Sequence, residues 1–247
     1  MKILVCLTKA PDTTTKISFT DHDTHFNEQG VQWIINPYDE WYALVRALEL
    51  KEAGLATEIH LMTVGKADTE PVIRKALALG GDEAIRIDGE SRDPLYIAEQ
   101  IAAYVKEQSY ELILTGKESI DYGSGAVGAM LAELLDRPFI SHVASLQVDG
   151  QDVLVKREIE GGEETDRCAL PVVLSAQKGM AEARIPNMRG IMAARTKPLK
   201  VVAPIEAHES TSILSYELPP QKTGVRMVDP EQMDELVRLL HEEAKVI

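Results

Sequence analysis

Four short apolar runs, each parted from the next by a stretch of helical period, constrain this chain more than any other feature. They are KILVCL from Lys2, EIHLMTV from Glu58, EAIRI from Glu83 and ELILT from Glu111. A strand covered on both faces reads as a continuous apolar run, whereas a half-exposed strand alternates. Parallel neighbours also need a crossover of a dozen or more residues, and a helix commonly supplies it. The pattern therefore predicts right-handed βαβ units and an α/β fold. The expected architecture is a doubly wound, mostly parallel sheet with flavodoxin-like layering, a class suited to adenine nucleotides.

The crossovers carry recognisable helix signals. In NPYDEWYALVRALELKEAG, Asn36 is read as N-cap, Pro37 as first helical residue and Asp39 as the capping-box position. Trp41, Leu44, Val45 and Leu48 form one apolar stripe, and Gly54 closes the helix. A second helix is expected from about Thr69 to Leu79, ending at Gly80-Gly81, and a third from Asp93-Pro94. A fourth spans Ser124 to Leu135. A small hairpin is expected near KISFTDHDTHF. After Pro138 the pattern changes: Asp149-Gly150 between two extended runs signals a second hairpin, EGGEE a turn and ALPVVLSA a buried strand. RIPNMRGIMAARTKP holds a short helix capped by Asn187.

Residues 1–200 are read as the nucleotide-binding α/β domain and 201–247 as an extended arm and amphipathic helix. The arm, with Pro204, Pro219 and Pro220, lacks a core-forming period; the helix after Asp229-Pro230 carries Met233, Leu236, Val237 and Leu240. Such a tail needs a surface, either its own sheet or a partner subunit, and packing on a partner is the expectation adopted.

With 40 acidic against 26 basic residues the net charge is −14. Nucleic acid and anionic lipid are poor partners for such a surface. No apolar run is long enough to cross a bilayer, no signal peptide is read, and Cys6 sits inside a strand as a core thiol. A cytoplasmic protein is expected. The six histidines show no metal-binding spacing, and no G-x-S-x-G elbow is present. No metal site is expected, and no acid, base or nucleophile stands out, which disfavours an enzyme. His60 reads as a satisfied sheet histidine, and Glu158, Glu160, Glu163 and Glu164 as a solvated turn.

Ligands of open parallel sheets bind beyond the carboxyl ends of the strands, where strand order reverses. Four segments should gather there: Thr8 to Asp12, NPYD, TVGKAD, and GKESIDYGSGAVGAML from Gly116. The last resembles a phosphate loop without its lysine. Free amides at the start of its helix suit an anion, and Gly123, Gly125 and Gly128 allow close backbone approach. Backbone groups near Cys6 and Val64 could hold an adenine edge. A tight βα turn with no ligand explains the loop equally well at this stage.

VKREIEGGEETDRCALPVVLSA followed by RIPNMRGIMAARTKPL resembles the signature region of the small (beta) subunit of electron-transfer flavoproteins. NPYDEWYALVRALELKE, IRKALALGGDEAIRI, LILTGKESID and KTGVRMVDPEQMDELVRLL are similar to that family in order and spacing, so the likeness covers nearly the whole chain. It implies a heterodimer whose alpha (large) subunit holds most of an FAD, with structural AMP in the small subunit. Carried across by match, the AMP site would comprise Cys6, Asn36, Pro37, Tyr38, Asp39 and Val64. It would continue through Asp121, Tyr122, Gly123, Ser124, Gly125, Ala126, Val127, Gly128, Ala129, Met130, Leu131 and Ala132. The family further implies a docking segment for flavin-containing dehydrogenases and a downstream acceptor. It corresponds to Arg184, Ile185, Pro186, Asn187, Met188, Arg189, Gly190, Ile191 and Met192. Met188 stands at an aliphatic anchor position, while Ile191 and Met192 are expected to pack inward.

Two departures stand out. Ala181-Glu182-Ala183-Arg184 replaces the family's frequent Asn-x-Pro-Arg, which leaves the approach to the docking segment open. The loop Tyr122 to Gly128 matches neither the usual AMP pattern nor that of electron-bifurcating members, which hold a second FAD there. AMP is favoured because the threonine and glutamine of the bifurcating pattern are absent. A stand-alone ATP-binding protein of the universal-stress kind is the competing class.

Overall fold

All four apolar runs are strands of one sheet. The computed structural model describes residues 1–221 and 224–247. In chain order its elements begin with β1 (Lys2–Cys6), β2 (Lys9–Pro11), β3 (Phe19–Thr20), β4 (His25–Phe26) and β5 (Trp33–Ile35). Then come α1 (Glu40–Glu52), β6 (Glu58–Val64), α2 (Glu70–Leu79), β7 (Glu83–Ile87), α3 (Pro94–Val105), β8 (Leu112–Gly116) and α4 (Val127–Leu134). The remainder is β9 (Phe139–Asp149), β10 (Asp152–Ile159), β11 (Gly162–Ala169), β12 (Val172–Ala176), α5 (Met188–Ala194), β13 (Leu199–Val202) and α6 (Met233–Arg238).

The main sheet has nine strands in the order β11-β10-β9-β12-β8-β1-β6-β7-β13. Every pairing from β9 across to β13 is parallel; β10 and β11 extend one edge as antiparallel strands. The architecture is α/β with a doubly wound, mostly parallel sheet, as the sequence predicts. In β1, Ile3 and Val5 face one core, with α1 and α2, while Leu4 and Cys6 face the other, with α3 and α4. Double coverage explains why the run is apolar without alternation. The strand order steps outward from β1 through β6 to β7, then returns to β8 on the other flank of β1. Right-handed crossovers require the covering helix to change face at that return, so α3 lies opposite α1 and α2.

Most predicted elements stand, with shifted ends. Asp93 caps α3, accepting from the amides of Leu95 (2.8 Å) and Tyr96 (2.9 Å). The hairpin at Gly150 turns with φ +64°, where a β-carbon would be strained, and the small β3–β4 hairpin forms. Two helix starts are corrected. Helix α1 begins at Glu40, and Asp39 makes no capping hydrogen bond. Pro37 to Asp39 instead form a lead-in turn in which Asn36 Oδ1 accepts from the Tyr38 amide (3.2 Å). Helix α4 begins at Val127, because Gly123 to Ala126 are drawn into the loop by bonds between Ser119 and Ser124. Edge strand β13 and the β2–β5 pair were not foreseen; each is too short to show a period.

The arm begins on its own chain. Gln100 Nε2 donates to Ile205 O (3.0 Å), and its Oε1 accepts from the Ile205 amide (2.8 Å). Asp93 Oδ2 accepts from the Thr211 amide (2.6 Å) and hydroxyl (2.8 Å). Tyr216 donates its amide to Asp23 O (2.7 Å) and stacks on Phe19 at 4.8 Å. Beyond it, Leu218, Val225, Met227, Met233 and Val237 are exposed. Of the expected stripe, Met233 and Val237 are exposed and Leu236 and Leu240 partly buried, and α6 ends at Arg238, before Leu240.

Candidate functional site

A cleft opens at the carboxyl ends of β1, β6 and β8, at the reversal of strand order, where parallel sheets take ligands. Cys6, Thr8 and Lys9 come from the β1 end, Met62 and Val64 from β6, and residues Gly116 to Gly128 supply the far wall. Its interior volume is about 120 Å³, and it shares Arg92, Asp121 and Tyr122 with an aromatic cleft of about 430 Å³ lined by Phe19, Phe26, Trp33 and Tyr216.

Eight of the expected residues line the first cleft: Cys6, Val64, Asp121, Tyr122, Ser124, Gly125, Val127 and Gly128. The others lie elsewhere. Asn36, Tyr38, Asp39 and Gly123 border a neighbouring depression. Asn36 is buried, and its Nδ2 donates to Glu118 O at 2.9 Å, tying the α1 lead-in to the loop. Ala129 is exposed on α4, while Leu131 and Ala132 fill the core between α3 and α4. Gly128 has a packing role besides: a β-carbon there would stand 2.8 Å from Thr115 Oγ1 and 2.9 Å from the Phe139 ring.

The loop presents donors. Among the described residues, no backbone carbonyl accepts from the amides of Gly125, Ala126, Val127 or Gly128. These amides open α4, whose dipole favours an anion at that end. Gly123 has φ +64°. A phosphate fits that arrangement.

Several residues around the cleft escaped sequence reasoning. Ser91, Arg92, Pro94 and Ile97 reach it from the start of α3. Their signal was present, since Asp93-Pro94 follows β7 and so falls at the same end of the sheet. Arg92 lies 3.8 Å from Asp121 and 4.6 Å from the centre of the Tyr122 ring. Tyr122 reaches Tyr216 of the arm, hydroxyl to hydroxyl, at 3.4 Å. Glu40 was also missed, although it lies four residues before Leu44 on the buried stripe. Its carboxyl accepts from the Thr8 amide (2.6 Å) and hydroxyl (2.8 Å). Burial pushes the Glu40 carboxyl up to about 8, Asp39 up to about 6 and the Cys6 thiol up to about 12. Burial raises Asp121 as well. The cations do not stand free: Lys9 pairs with Asp68, and Lys117 with Glu118 at 3.3 Å. Cys6 packs in the core against α3 and α4, as the sequence suggests. His60 likewise has a partner in Tyr110, at 2.9 Å.

The segment Arg184 to Met192, expected from the resemblance to dock partners, is the second candidate. Ile185 is 91% exposed, Met188 72%, Met192 67% and Ile191 41%. Met192 and Ile191 thus face outward, contrary to expectation. Helix α5 turns Gly190 and Ala194 inward: a β-carbon on Gly190 would overlap the Ala78 carbonyl, and Ala194 is buried. Only small residues permit that close approach, so the long apolar ones must point away. Arg184 fixes the approach despite the altered preceding residues. It donates to Glu52 at 2.7 and 3.0 Å, and its carbonyl accepts from Trp41 Nε1 at 3.1 Å.

Among the described residues no helix is long and apolar enough to cross a membrane, and no group of His, Cys, Asp or Glu is placed to hold a metal. A family model described as the electron transfer flavoprotein domain matches residues 23–207. The chain is 38% identical over 261 aligned positions to electron transfer flavoprotein subunit beta of Bacillus subtilis, with all of both chains covered. It is 34% identical to the protein of that name from Syntrophomonas wolfei, covering 94% of this chain and 92% of the other. The Homo sapiens subunit is 32% identical, with 100% of this chain and 99% of the other covered. Coverage from end to end at these identities places the chain in the electron transfer flavoprotein beta subunit family.

Proposed function

We propose that this chain is the small subunit of a heterodimeric electron carrier and holds a structural AMP in the cleft beyond β1, β6 and β8. The chain is not itself an enzyme. An FAD held mainly by the alpha (large) subunit takes electrons from flavin-containing dehydrogenases and yields them to a downstream acceptor. This chain's residues bind and position. The observation that carries the nucleotide reading is the row of amides from Gly125 to Gly128, engaged by no backbone carbonyl, at the head of α4, where Gly125, Val127 and Gly128 line the cleft at the strand reversal. Cys6 and Val64 flank the opposite wall, where an adenine would lie. Arg184 to Met192 form the dehydrogenase docking segment, and of residues 201–247, the part beyond Tyr216, with its exposed Leu218, Met227 and Val237, packs on the large subunit, while the arm up to Tyr216 lies on its own chain. We place the complex in the cytoplasm without membrane insertion, and this chain's net charge of −14 disfavours nucleic-acid partners.

Family membership favours the carrier subunit over a stand-alone ATP-binding protein. Denaturing the purified heterodimer and counting released nucleotides tests the rest. One FAD and one AMP per heterodimer are expected. Two FADs without AMP would transfer the chain to the bifurcating type, and FAD alone would remove the nucleotide from this cleft.

A further inference from the structure

Helix α5 has seven residues, far fewer than the roughly 12 to 15 that an isolated helix needs to persist in water. Its orientation must therefore come from what it is fastened to. The fastening is reciprocal with α2. Arg74, on α2, sends Nη1 to Ala194 O (2.8 Å) and Lys197 O (2.7 Å) at the carboxyl end of α5. Lys197, just beyond α5, sends Nζ to Leu77 O (2.9 Å) and Gly81 O (2.6 Å) at the carboxyl end of α2. Each helix thus receives, from the other's segment, a cation on the terminal carbonyls that its own hydrogen bonding leaves unmet. Neither cation is within salt-bridge distance of a carboxylate among the described residues, so these carbonyls are their main partners. Between the two clasps Gly190 lies against the Ala78 carbonyl, too close to admit a β-carbon. Asn187 Oδ1 closes the amino end, accepting from the Gly190 amide at 2.9 Å.

We propose that Arg74, Lys197 and Gly190 are positioning residues that hold the exposed Met188–Met192 face at one fixed angle to the sheet, so that partner dehydrogenases meet a preformed surface. This inference rests on the docking reading above. A rigid presenting helix spares the ordering loss that a loose segment would suffer on binding. Loosening it should therefore raise KM for the partner and leave electron transfer within the bound complex little changed.

The test uses the intact heterodimer with Arg74→Met, Arg74→Lys, Gly190→Ala and, as a docking control, Met188→Ala. Hydrogen exchange of the 188–196 peptide and steady-state transfer are read together, assaying each of the source organism's flavin-containing dehydrogenases in turn. Arg74→Met is expected to speed exchange in that peptide about tenfold without altering the central strands, and to raise KM about five- to tenfold with kcat within about twofold. Arg74→Lys should restore part of both, since an ammonium can still reach one carbonyl. Gly190→Ala should act in the same direction as Arg74→Met. Unchanged exchange and KM in both Arg74→Met and Gly190→Ala, with Met188→Ala still impaired, overturns the positioning role and leaves docking intact. No effect of Met188→Ala on any dehydrogenase overturns docking and this inference with it, even where exchange rises.

Discussion

Glu40 makes the most demanding test of the cleft's electrostatics. Its carboxyl is buried and titrates near 8, against 4.5 for an exposed glutamate, with burial as the chief cause. At about 1.4 kcal/mol per pH unit, that displacement corresponds to at most roughly 5 kcal/mol. In the folded chain the proton stays on until about pH 8; in the unfolded chain it leaves near 4.5. Between those values unfolding releases a proton, so raising the pH favours the unfolded state. The stabilising contribution of Glu40 is thus complete below about pH 4.5 and is lost as the pH climbs through about 8. Glu40→Gln keeps the shape, can still accept from the Thr8 amide, and has no proton to lose. Relative to the wild type it should therefore gain roughly 2 to 5 kcal/mol of stability between about pH 5 and pH 8. Urea unfolding followed by fluorescence of Trp33 and Trp41 measures this, and titration of Asp39 and Asp121, present in both proteins, largely cancels in the difference. A pH-independent difference, or one that moves toward the wild type as the pH rises, would refute the reasoning and show that the two bonds from Thr8 hold Glu40 ionised.

Two further perturbations separate roles that one residue combines. Gly128→Ala places a β-carbon against Thr115 and the Phe139 ring, so α4 must lift; a loss of about 1 to 3 kcal/mol is expected, with less AMP recovered from the purified heterodimer. Calorimetry and nucleotide extraction read the two effects. Asp93→Asn can keep an oxygen on the amides of Leu95 and Tyr96 but sets an amide group against the Thr211 amide, so the arm should loosen while α3 persists. Faster proteolysis between residues 205 and 216, with helix content retained, is the expected result; Asp93→Ala should also forfeit about 1 kcal/mol of capping.

The parallel sheet was legible because burial on both faces leaves a mark in every residue of a strand: Ile3 to Leu7 has no polar member to point at water. Caps and turns were legible where one residue suffices, as with Asp93, Asn187 and Gly150. The cleft's place at the strand ends followed from alternation alone. What local pattern could not decide is anything that depends on which distant groups meet. Asn36 looks like a cap because its neighbours resemble a helix start, yet its oxygen caps only a turn before α1, and its amide group ties that turn to Glu118, 82 residues away. The α4 start differs for a local reason, since bonds between Ser119 and Ser124 within one loop replace a first helical turn, and glycine-rich sequence does not announce them.

Helix α5 shows the division most plainly. Its apolar residues announce that something apolar is to be covered, and sequence spacing cannot say whether the protein or a partner covers it. Gly190 against Ala78, with Arg74 and Lys197 clasping the two helix ends, turns Met188 and Met192 outward. Periodicity along the chain records how much surface is apolar. Only the packing of α5 on α2 selects which side of it meets solvent, because that choice rests on contacts between segments more than a hundred residues apart.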